Sequence, residues 1–187
     1  MLARIDAAVW VSMAGKDAPG ADVLVGRSGR VVFRRAYGRR AVVPGPEPMT
    51  VDTVFDLASL TKVVATATSV MTLVEAGKVR LEEPVARQLP DFAAGGGGRA
   101  DVTVVQLLTH RAGLVPDDPM DLYTGTPAEI FGRKYRQPLA HEPGARFVYS
   151  DVGFEVLGEL VRVVAGEALD RYAARAVFAP LGMTDTE

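Results

Sequence analysis

The spacing of apolar residues along the chain predicts a helix, then a β-hairpin, then helices up to the end. Near the start, apolar side chains recur at three- and four-residue steps, which predicts an amphipathic helix that ends near Gly15. Two runs of strand-forming residues follow, over 21–27 and 30–37, and Ser28-Gly29 between them is typical of a short hairpin turn. These are the two good strands that the pattern offers, so we expect a small sheet.

The pattern becomes mainly helical after a loop rich in Pro and Gly, which is predicted over 39–52. Helical spacing begins at Ser59, and a clear amphipathic helix is predicted over Val152–Ala165. The other predicted features are short helices over 84–89 and 103–109, a loop tip at 95–98, a helix start at the capping box of 126–129, an extended segment at 147–149 and a final helix over 168–178. The order is therefore a helix, a hairpin and then helices to the end.

The composition is that of an average soluble globular protein, with 48% hydrophobic and 24% charged residues among 187. Disorder and collagen-like structure are therefore excluded. The longest uncharged apolar stretch, Val63–Val74, has twelve residues with three Thr and one Ser, which is too short and too polar to span a bilayer. Residues 1–17 contain no apolar signal-peptide core. As written, the chain is expected in the cytoplasm, or in the periplasm or outside the cell if the parent protein is longer at its N-terminus.

Charge and ligand content exclude several other classes of protein. A net charge of −2 gives no general attraction to nucleic acid, and the basic excess over 1–40 favours a solvated hairpin face over a phosphate-binding patch. The absence of Cys excludes disulfides, thiolate zinc sites and a Cys nucleophile. His110 and His141 lack the companions of a metal site, and Gly95–Gly98 lacks the Gly-Lys-Ser/Thr ending of a phosphate loop. We expect neither a metal nor a cofactor.

The segment Ser59-Leu60-Thr61-Lys62 has a spacing that suits nucleophilic catalysis. Residues three apart on a helix share a face, so the Lys62 amine reaches the Ser59 hydroxyl. A Ser at a helix start also presents its own backbone N–H to a developing oxyanion. The helix dipole and burial both favour a neutral amine at Lys62, the form that takes a proton from Ser59. The tetrapeptide leaves open the structural alternative, in which Ser59 only caps the helix and Lys62 is solvated.

Longer stretches around this tetrapeptide resemble the serine β-lactamase and penicillin-binding-protein superfamily, above all its class C-like branch. Residues 55–62 (Phe-Asp-Leu-Ala-Ser-Leu-Thr-Lys) are similar to the acylation motif of that family. The similarity continues in family order and spacing at 107–114 (Leu-Leu-Thr-His-Arg-Ala-Gly-Leu), 143–151 (Pro-Gly-Ala-Arg-Phe-Val-Tyr-Ser-Asp), 157–159 (Leu-Gly-Glu) and 180–183 (Pro-Leu-Gly-Met). The resemblance implies an α+β protein of β-lactamase/transpeptidase-like fold, with the N-terminal part of a sheet-bearing lobe over 1–57 and a helical lobe over 58–187. It also implies that the site lies between the two lobes and that His110 has a structural role.

The resemblance also implies a serine hydrolase that forms an acyl-enzyme with a small-molecule ester, amide or β-lactam, as esterases, D-alanyl-D-alanine carboxypeptidases and β-lactamases do. Ser59 is then the nucleophile, Lys62 shares or takes its proton, and Tyr149 acts with Lys62 as general base and afterwards as acid toward the leaving group. From the residues alone, a Tyr at this place is more often a core anchor. The alternative function is that of a non-catalytic relative or fragment that binds a ligand or a partner through the same cleft.

Asp151 stands where the family usually has Asn, and it is the candidate substrate-binding or site-supporting residue. An amide can donate a hydrogen bond to Lys or to a substrate carbonyl, whereas an ionised carboxylate only accepts. Close to Lys62, an ionised Asp151 favours the protonated lysine and weakens it as a base. Alternatively, Asp151 caps the helix that follows it.

The third motif of the family, Lys-Thr-Gly or His-x-Gly, occurs nowhere in the sequence. In the family, this motif lies on a strand that forms one wall of the cleft and supplies the second oxyanion donor. We therefore expect an incomplete fold, the N-terminal part of a longer hydrolase. Turnover is expected to be feeble, because loss of one oxyanion donor costs ~10²–10³-fold in comparable sites. An exposed sheet edge is also expected to let the chain self-associate.

Overall fold

The computed structural model describes residues 2–15 and 18–187. Contacts between residues divide the chain into two units, one ending at Asp56 and the other running from Leu57 to Glu187. Lys16 and Asp17, which belong to the basic start of the sequence, lie outside the described residues.

Within its described residues, the first unit consists of helix α1 (Leu2–Ala14) and a three-stranded antiparallel sheet in the order β1-β2-β3. Strands β1 (Gly20–Arg27) and β2 (Arg30–Ala41) form the hairpin that the sequence predicts. Ser28 and Gly29 join them with φ angles of 51° and 72°. Positive φ at both central residues gives the turn a twist that matches the twist of the flanking strands.

The loop predicted over 39–52 is wrong in part. Strand β2 continues as far as Ala41, and a short strand β3 (Glu47–Pro48) pairs with its end. An ion pair between Arg40 and Glu47, with 2.9 Å between Nε and Oε2, lies across this pairing. Pro is tolerated in edge strands, so the Pro and Gly that indicated a loop are equally compatible with a brief edge strand.

Asp6 connects α1 to the sheet. The hydroxyl of the buried Tyr37 donates to Asp6 Oδ1 at 2.5 Å, and the Arg35 guanidinium donates to the same oxygen at 2.9 Å. The ring of Trp10 meets the ring of Tyr37 edge-on, with 5.8 Å between the centroids. The helix is thus held against β2 by two hydrogen bonds to Asp6, one of them an ion pair, and by one aromatic contact.

Helices form most of the second unit. The α-helices occur where the sequence predicts helices, whereas the helix predicted over 84–89 is only a 3₁₀ turn and the other 3₁₀ turns were not predicted. The α-helices are α2 (Thr68–Glu75), α3 (Val104–Leu108), α4 (Pro127–Arg136), α5 (Asp151–Ala165) and α6 (Leu169–Ala173), with π-helical turns at Lys62–Ala67 before α2 and Ala174–Phe178 after α6, and 3₁₀ turns at Val85–Arg87, Pro90–Gly95, Arg99–Asp101 and Met120–Tyr123. Thr126 and Glu129 form the predicted capping box at the start of α4. Gly166 ends α5 with a φ of 76°, the left-handed conformation typical of this position.

Helix α5 lies at the centre of the apolar core of the second unit. Its fully buried side chains are Val156, Leu157, Leu160 and Val161, and they follow one another at helical spacing. The helix packs against α2, α3 and α6. A small sheet in one unit and packed helices in the other make this an α+β protein, as the sequence predicts.

Among the described residues, no helix has both the length and the apolar character needed to cross a lipid bilayer. Within the same residues, His, Asp and Glu side chains do not come together in groups of three or more that could hold a metal ion.

Candidate active site

Ser59 lies in a tight turn at the entrance to the helical segment of the second unit. Successive backbone N–H groups, beginning with that of Leu60, donate to carbonyl groups three residues earlier at 2.9, 3.0 and 3.2 Å. The Ser59 N–H therefore comes one residue before the first N–H that donates within this turn. Ala58, just before it, has a φ of 44°, a left-handed conformation that costs a residue with a Cβ about 1–3 kcal/mol and is typical of functional sites.

Lys62 lies one turn after Ser59 and contacts it directly. The Lys62 ammonium Nζ donates a hydrogen bond to Ser59 Oγ at 3.1 Å. The i, i+3 spacing thus brings the two groups together, as the sequence predicts. The Lys62 side chain is only 14% exposed, so the alternative of a solvated lysine is wrong.

Asp151 forms an ion pair with Lys62, with 2.7 Å between Oδ1 and Nζ. It is the first residue of α5, and the helix is capped by Ser150, whose Oγ accepts from the Gly153 N–H at 3.1 Å. The alternative in which Asp151 itself caps this helix is therefore wrong. The Asp151 carboxylate is instead directed at the lysine beside Ser59.

Tyr149 completes the cluster. Its hydroxyl is hydrogen-bonded with Ser59 and with Lys62, and the Lys62 Nζ lies 5.1 Å from the centroid of its ring. Tyr149 is 45% exposed within the described chain, which does not suit a core anchor. Four residues that the sequence singles out, Ser59, Lys62, Tyr149 and Asp151, are thus brought into one site within the second unit.

The contacts in this cluster shift two pKa values in opposite directions. Burial favours the neutral amine of Lys62, but the hydrogen bonds with Asp151 and Tyr149 outweigh it and raise the Lys62 pKa above its ordinary value. The hydrogen bonds with Ser59 and then Lys62 lower the pKa of Tyr149. The expectation of a neutral Lys62 is therefore wrong, because the helix dipole and burial are opposed by a carboxylate at contact distance. Tyr149 is the group whose proton is made easier to remove.

His110 supports the Tyr149 segment, which agrees with the structural role that the resemblance implies for it. Its ring lies 4.4 Å from that of Tyr149, centroid to centroid, and its Nδ1 accepts the Ser150 N–H at 3.0 Å. An acceptor at Nδ1 places the proton of the neutral ring on Nε2. The pKa of His110 is lowered, first by burial and then by the charge of Lys62. The contact joins residues forty apart in the sequence, so no local pattern signals it.

A second charged cluster, formed by Lys134, Asp118, Glu155 and Tyr123, lies in the same unit. Lys134 is 2% exposed and forms ion pairs with Asp118, at 3.0 Å, and with Glu155. Its Nζ also lies 3.9 Å from the centroid of the Tyr123 ring. Sequence analysis missed this cluster, although Lys134 follows Ile130 by four residues and therefore falls on an apolar face of α4.

The Lys134 cluster and the site are linked through the segment that precedes Asp118. The Pro116 carbonyl accepts the Asp151 N–H at 2.8 Å, and the Val115 carbonyl accepts the Ser150 hydroxyl at 2.6 Å. Asp118 anchors this segment to Lys134. His110 and residues 115–118 thus both hold the start of α5, which carries Asp151.

The class of protein is defined by a small sheet, a helical unit and a cluster of Ser, Lys and Tyr. Comparison with known proteins gives the same class. Residues 5–187 match the Beta-lactamase family. The chain belongs to that family, which consists of serine hydrolases. The resemblance that the sequence motifs indicate is confirmed.

Several relatives are similar over nearly all of this chain. The "Putative D-alanyl-D-alanine carboxypeptidase" of Escherichia coli (strain K12) is 31% identical over 90% of the chain. Among solved structures, "EstCE1, a hydrolase with promiscuous acyltransferase activity" has a TM-score of 0.85 and 29% identity over 97% of the chain. A class C beta-lactamase has a TM-score of 0.82 and 26% identity over 97%. These likenesses confirm the β-lactamase/transpeptidase-like fold.

The chain spans only part of the length of each of these relatives. It covers 43% of the carboxypeptidase, 51% of EstCE1 and 48% of the class C beta-lactamase.

Proposed function

We propose that this chain carries the acylation site of a serine hydrolase, in which Ser59 attacks the carbonyl carbon of an ester, an amide or a β-lactam. The observation that supports this most directly is the hydrogen bond from Lys62 Nζ to Ser59 Oγ at 3.1 Å, with the Tyr149 hydroxyl bonded to both. A serine hydroxyl needs a neighbouring base to become a nucleophile at neutral pH.

Tyr149 is the group that takes the Ser59 proton. It does so as the phenolate: its pKa is lowered by the same two hydrogen bonds, and the protonated Lys62 stabilises the negative charge of the phenolate oxygen until the Ser59 proton arrives there. As Ser59 Oγ bonds to the carbonyl carbon, the carbonyl becomes an oxyanion, which the Ser59 N–H can accommodate at the start of the turn. Tyr149 then returns the proton to the leaving oxygen or nitrogen, and the acyl group remains on Ser59.

Water completes the cycle by the reverse sequence of proton transfers. Tyr149 accepts a proton from a water molecule that attacks the acyl carbonyl, and Ser59 Oγ leaves with that proton. The relatives are named as a carboxypeptidase, an acyl-transferring hydrolase and a beta-lactamase. An acyl group bound to a leaving oxygen or nitrogen is the feature that their substrates share.

Burst kinetics with a chromogenic ester test this proposal and separate it from the binding-only alternative. We expect the chain to release about one equivalent of p-nitrophenolate rapidly from p-nitrophenyl hexanoate, followed by slower turnover. The burst should disappear in Ser59→Ala and persist in the control Ser28→Gly, whose left-handed turn position favours glycine. A chain that binds the ester and, in excess over it, releases no p-nitrophenolate, or a release that survives Ser59→Ala, would overturn the proposal.

A further inference from the structure

Asp151 places a negative charge in contact with the Lys62 ammonium beside Ser59. Lys62 Nζ lies 3.1 Å from Ser59 Oγ and 2.7 Å from Asp151 Oδ1. The Asp151 carboxylate therefore compensates the positive charge of Lys62 next to the nucleophile.

The two oxygens of Asp151 have different surroundings. Oδ1 is buried against Lys62, yet the side chain as a whole is 46% exposed. Part of the carboxylate side chain thus remains accessible to a ligand, although Oδ1 does not. An ionised carboxylate oxygen accepts hydrogen bonds and donates none, so it attracts an N–H or ammonium group and repels a second carboxylate.

From this arrangement we propose that Asp151 is a specificity-determining residue, which makes the site select acyl groups that are neutral or carry an amine over acyl groups that carry a carboxylate. This proposal rests on the proposed function and names the substrate class of the same site. Without Asp151, the site next to the acyl carbon has one negative charge fewer, and it becomes more favourable to anionic acyl groups. At partly screened distances of this kind, one unit charge changes relative rates by about tenfold.

Three p-nitrophenyl esters with six-carbon acyl groups test the preference: the hexanoate, the 6-aminohexanoate and the hydrogen adipate. Single-turnover release of p-nitrophenolate gives the acylation rate for each, divided by the rate of its reaction with free imidazole to remove intrinsic reactivity. For the unmodified chain we expect the hexanoate and the 6-aminohexanoate to react faster than the adipate. In Asp151→Asn, which has nearly the same shape, the adipate-to-hexanoate ratio should rise about tenfold and fall again at high salt.

The matched control is Asp121→Asn, which removes a carboxylate from an exposed 3₁₀ turn and should leave the ratio unchanged. An equal adipate-to-hexanoate ratio in the unmodified chain and in Asp151→Asn would show that Asp151 does not set the choice of acyl group. The proposed function would still stand. No acylation by any of the three esters, in the chain or in the variant, would overturn both.

Discussion

The imidazole of His110 lies against the ring of Tyr149, with 4.4 Å between the centroids and 31° between the planes. Its Nδ1 accepts the N–H of Ser150, the next residue along. His110 itself has a φ of 56°, which is uncommon for a residue with a side chain. A residue held in this conformation, stacked on one neighbour and bonded to the next, fixes where the Tyr149 hydroxyl lies relative to Ser59.

His110→Phe should slow acylation while preserving the fold. Phenylalanine can keep the ring contact with Tyr149 but provides no acceptor for the Ser150 N–H, so the Tyr149 hydroxyl loses part of its positioning. We expect the acylation rate to fall about tenfold, with a helical circular-dichroism signal equal to that of the unmodified chain. Unchanged acylation in a folded variant would show that His110 does not position Tyr149.

The same residue predicts a pH dependence of stability. Because the pKa of His110 is lowered in the folded chain, the unfolded chain, with a pKa near ~6.5, binds the proton more readily. The contribution of His110 to the free energy of unfolding is therefore fully present above pH ~6.5. It is lost as the pH falls through the lowered pKa that His110 has in the folded chain. Urea unfolding at pH 7.5 and pH 5.5 should show this loss in the unmodified chain and a smaller one in His110→Gln. An equal loss of stability in the unmodified chain and in His110→Gln would contradict the assignment of this pH dependence to His110.

Tyr149→Phe and Lys62→Met should each lower acylation strongly without unfolding the chain. General-base contributions are typically ~10²–10⁴-fold. The acylation rate of the unmodified chain should rise with pH up to an apparent pKa below the ordinary value of 10.0, because hydrogen bonds with Ser59 and Lys62 lower the pKa of Tyr149. This rise should be absent in Tyr149→Phe. If the rise persists there, or if Tyr149→Phe unfolds while Lys62→Met acylates normally, Tyr149 is a structural residue and the assignment of the base is wrong.

Lys134→Met should destabilise the second unit. Removing the ammonium leaves the carboxylate of Asp118, which is 1% exposed, buried without its partner, and such losses cost about 3–5 kcal/mol. The matched control is Arg136→Met, an exposed position on the same helix, for which we expect a change within about 0.5 kcal/mol. Urea titration of both variants measures the difference. Equal stability of the two would mean that the Lys134 cluster contributes little.

Self-association is expected at the open edge of the sheet. Strand β1 is the terminal strand on one side of the described sheet, and its Leu24 is 55% exposed. A charge on an edge strand opposes pairing with another chain, so Leu24→Lys should lower the mean mass in light scattering. Val43→Lys is the control, since Val43 is 80% exposed but lies outside the strands. A monodisperse monomer before any substitution would contradict the expectation.

The sequence predicted the elements that depend on neighbouring residues and missed those that depend on distant ones. Apolar spacing located α1, the β1–β2 hairpin and α5, because side-chain periodicity and a turn pair are local properties. The i, i+3 spacing brought Lys62 to Ser59 for the same reason. Strand β3 was missed because it depends on pairing with the end of β2, and the buried ammonium of Lys134 because its partners Asp118 and Glu155 come from other segments.

The protonation of Lys62 shows the same limit. From the sequence, position in the first turn and burial indicated a neutral amine, and Asp151 was expected to favour the protonated lysine only if it lay close to Lys62. The folded chain places Asp151 at 2.7 Å from Lys62, which favours the protonated form. A carboxylate eighty-nine residues later, as the residue numbers give, acts on the lysine only once α5 is packed. Local sequence thus predicted the contact between Lys62 and Ser59 but not the charge of the lysine.

The central claim is that Ser59 is the residue that becomes acylated, and mapping the adduct tests it most directly. The chain is mixed with a fluorescent penicillin or with p-nitrophenyl hexanoate, quenched in acid and digested, and the modified peptide is identified by mass spectrometry. We predict one acyl group per chain, on the peptide that contains Ser59, and none in Ser59→Ala. An adduct on another residue, or one that survives Ser59→Ala, would contradict the account.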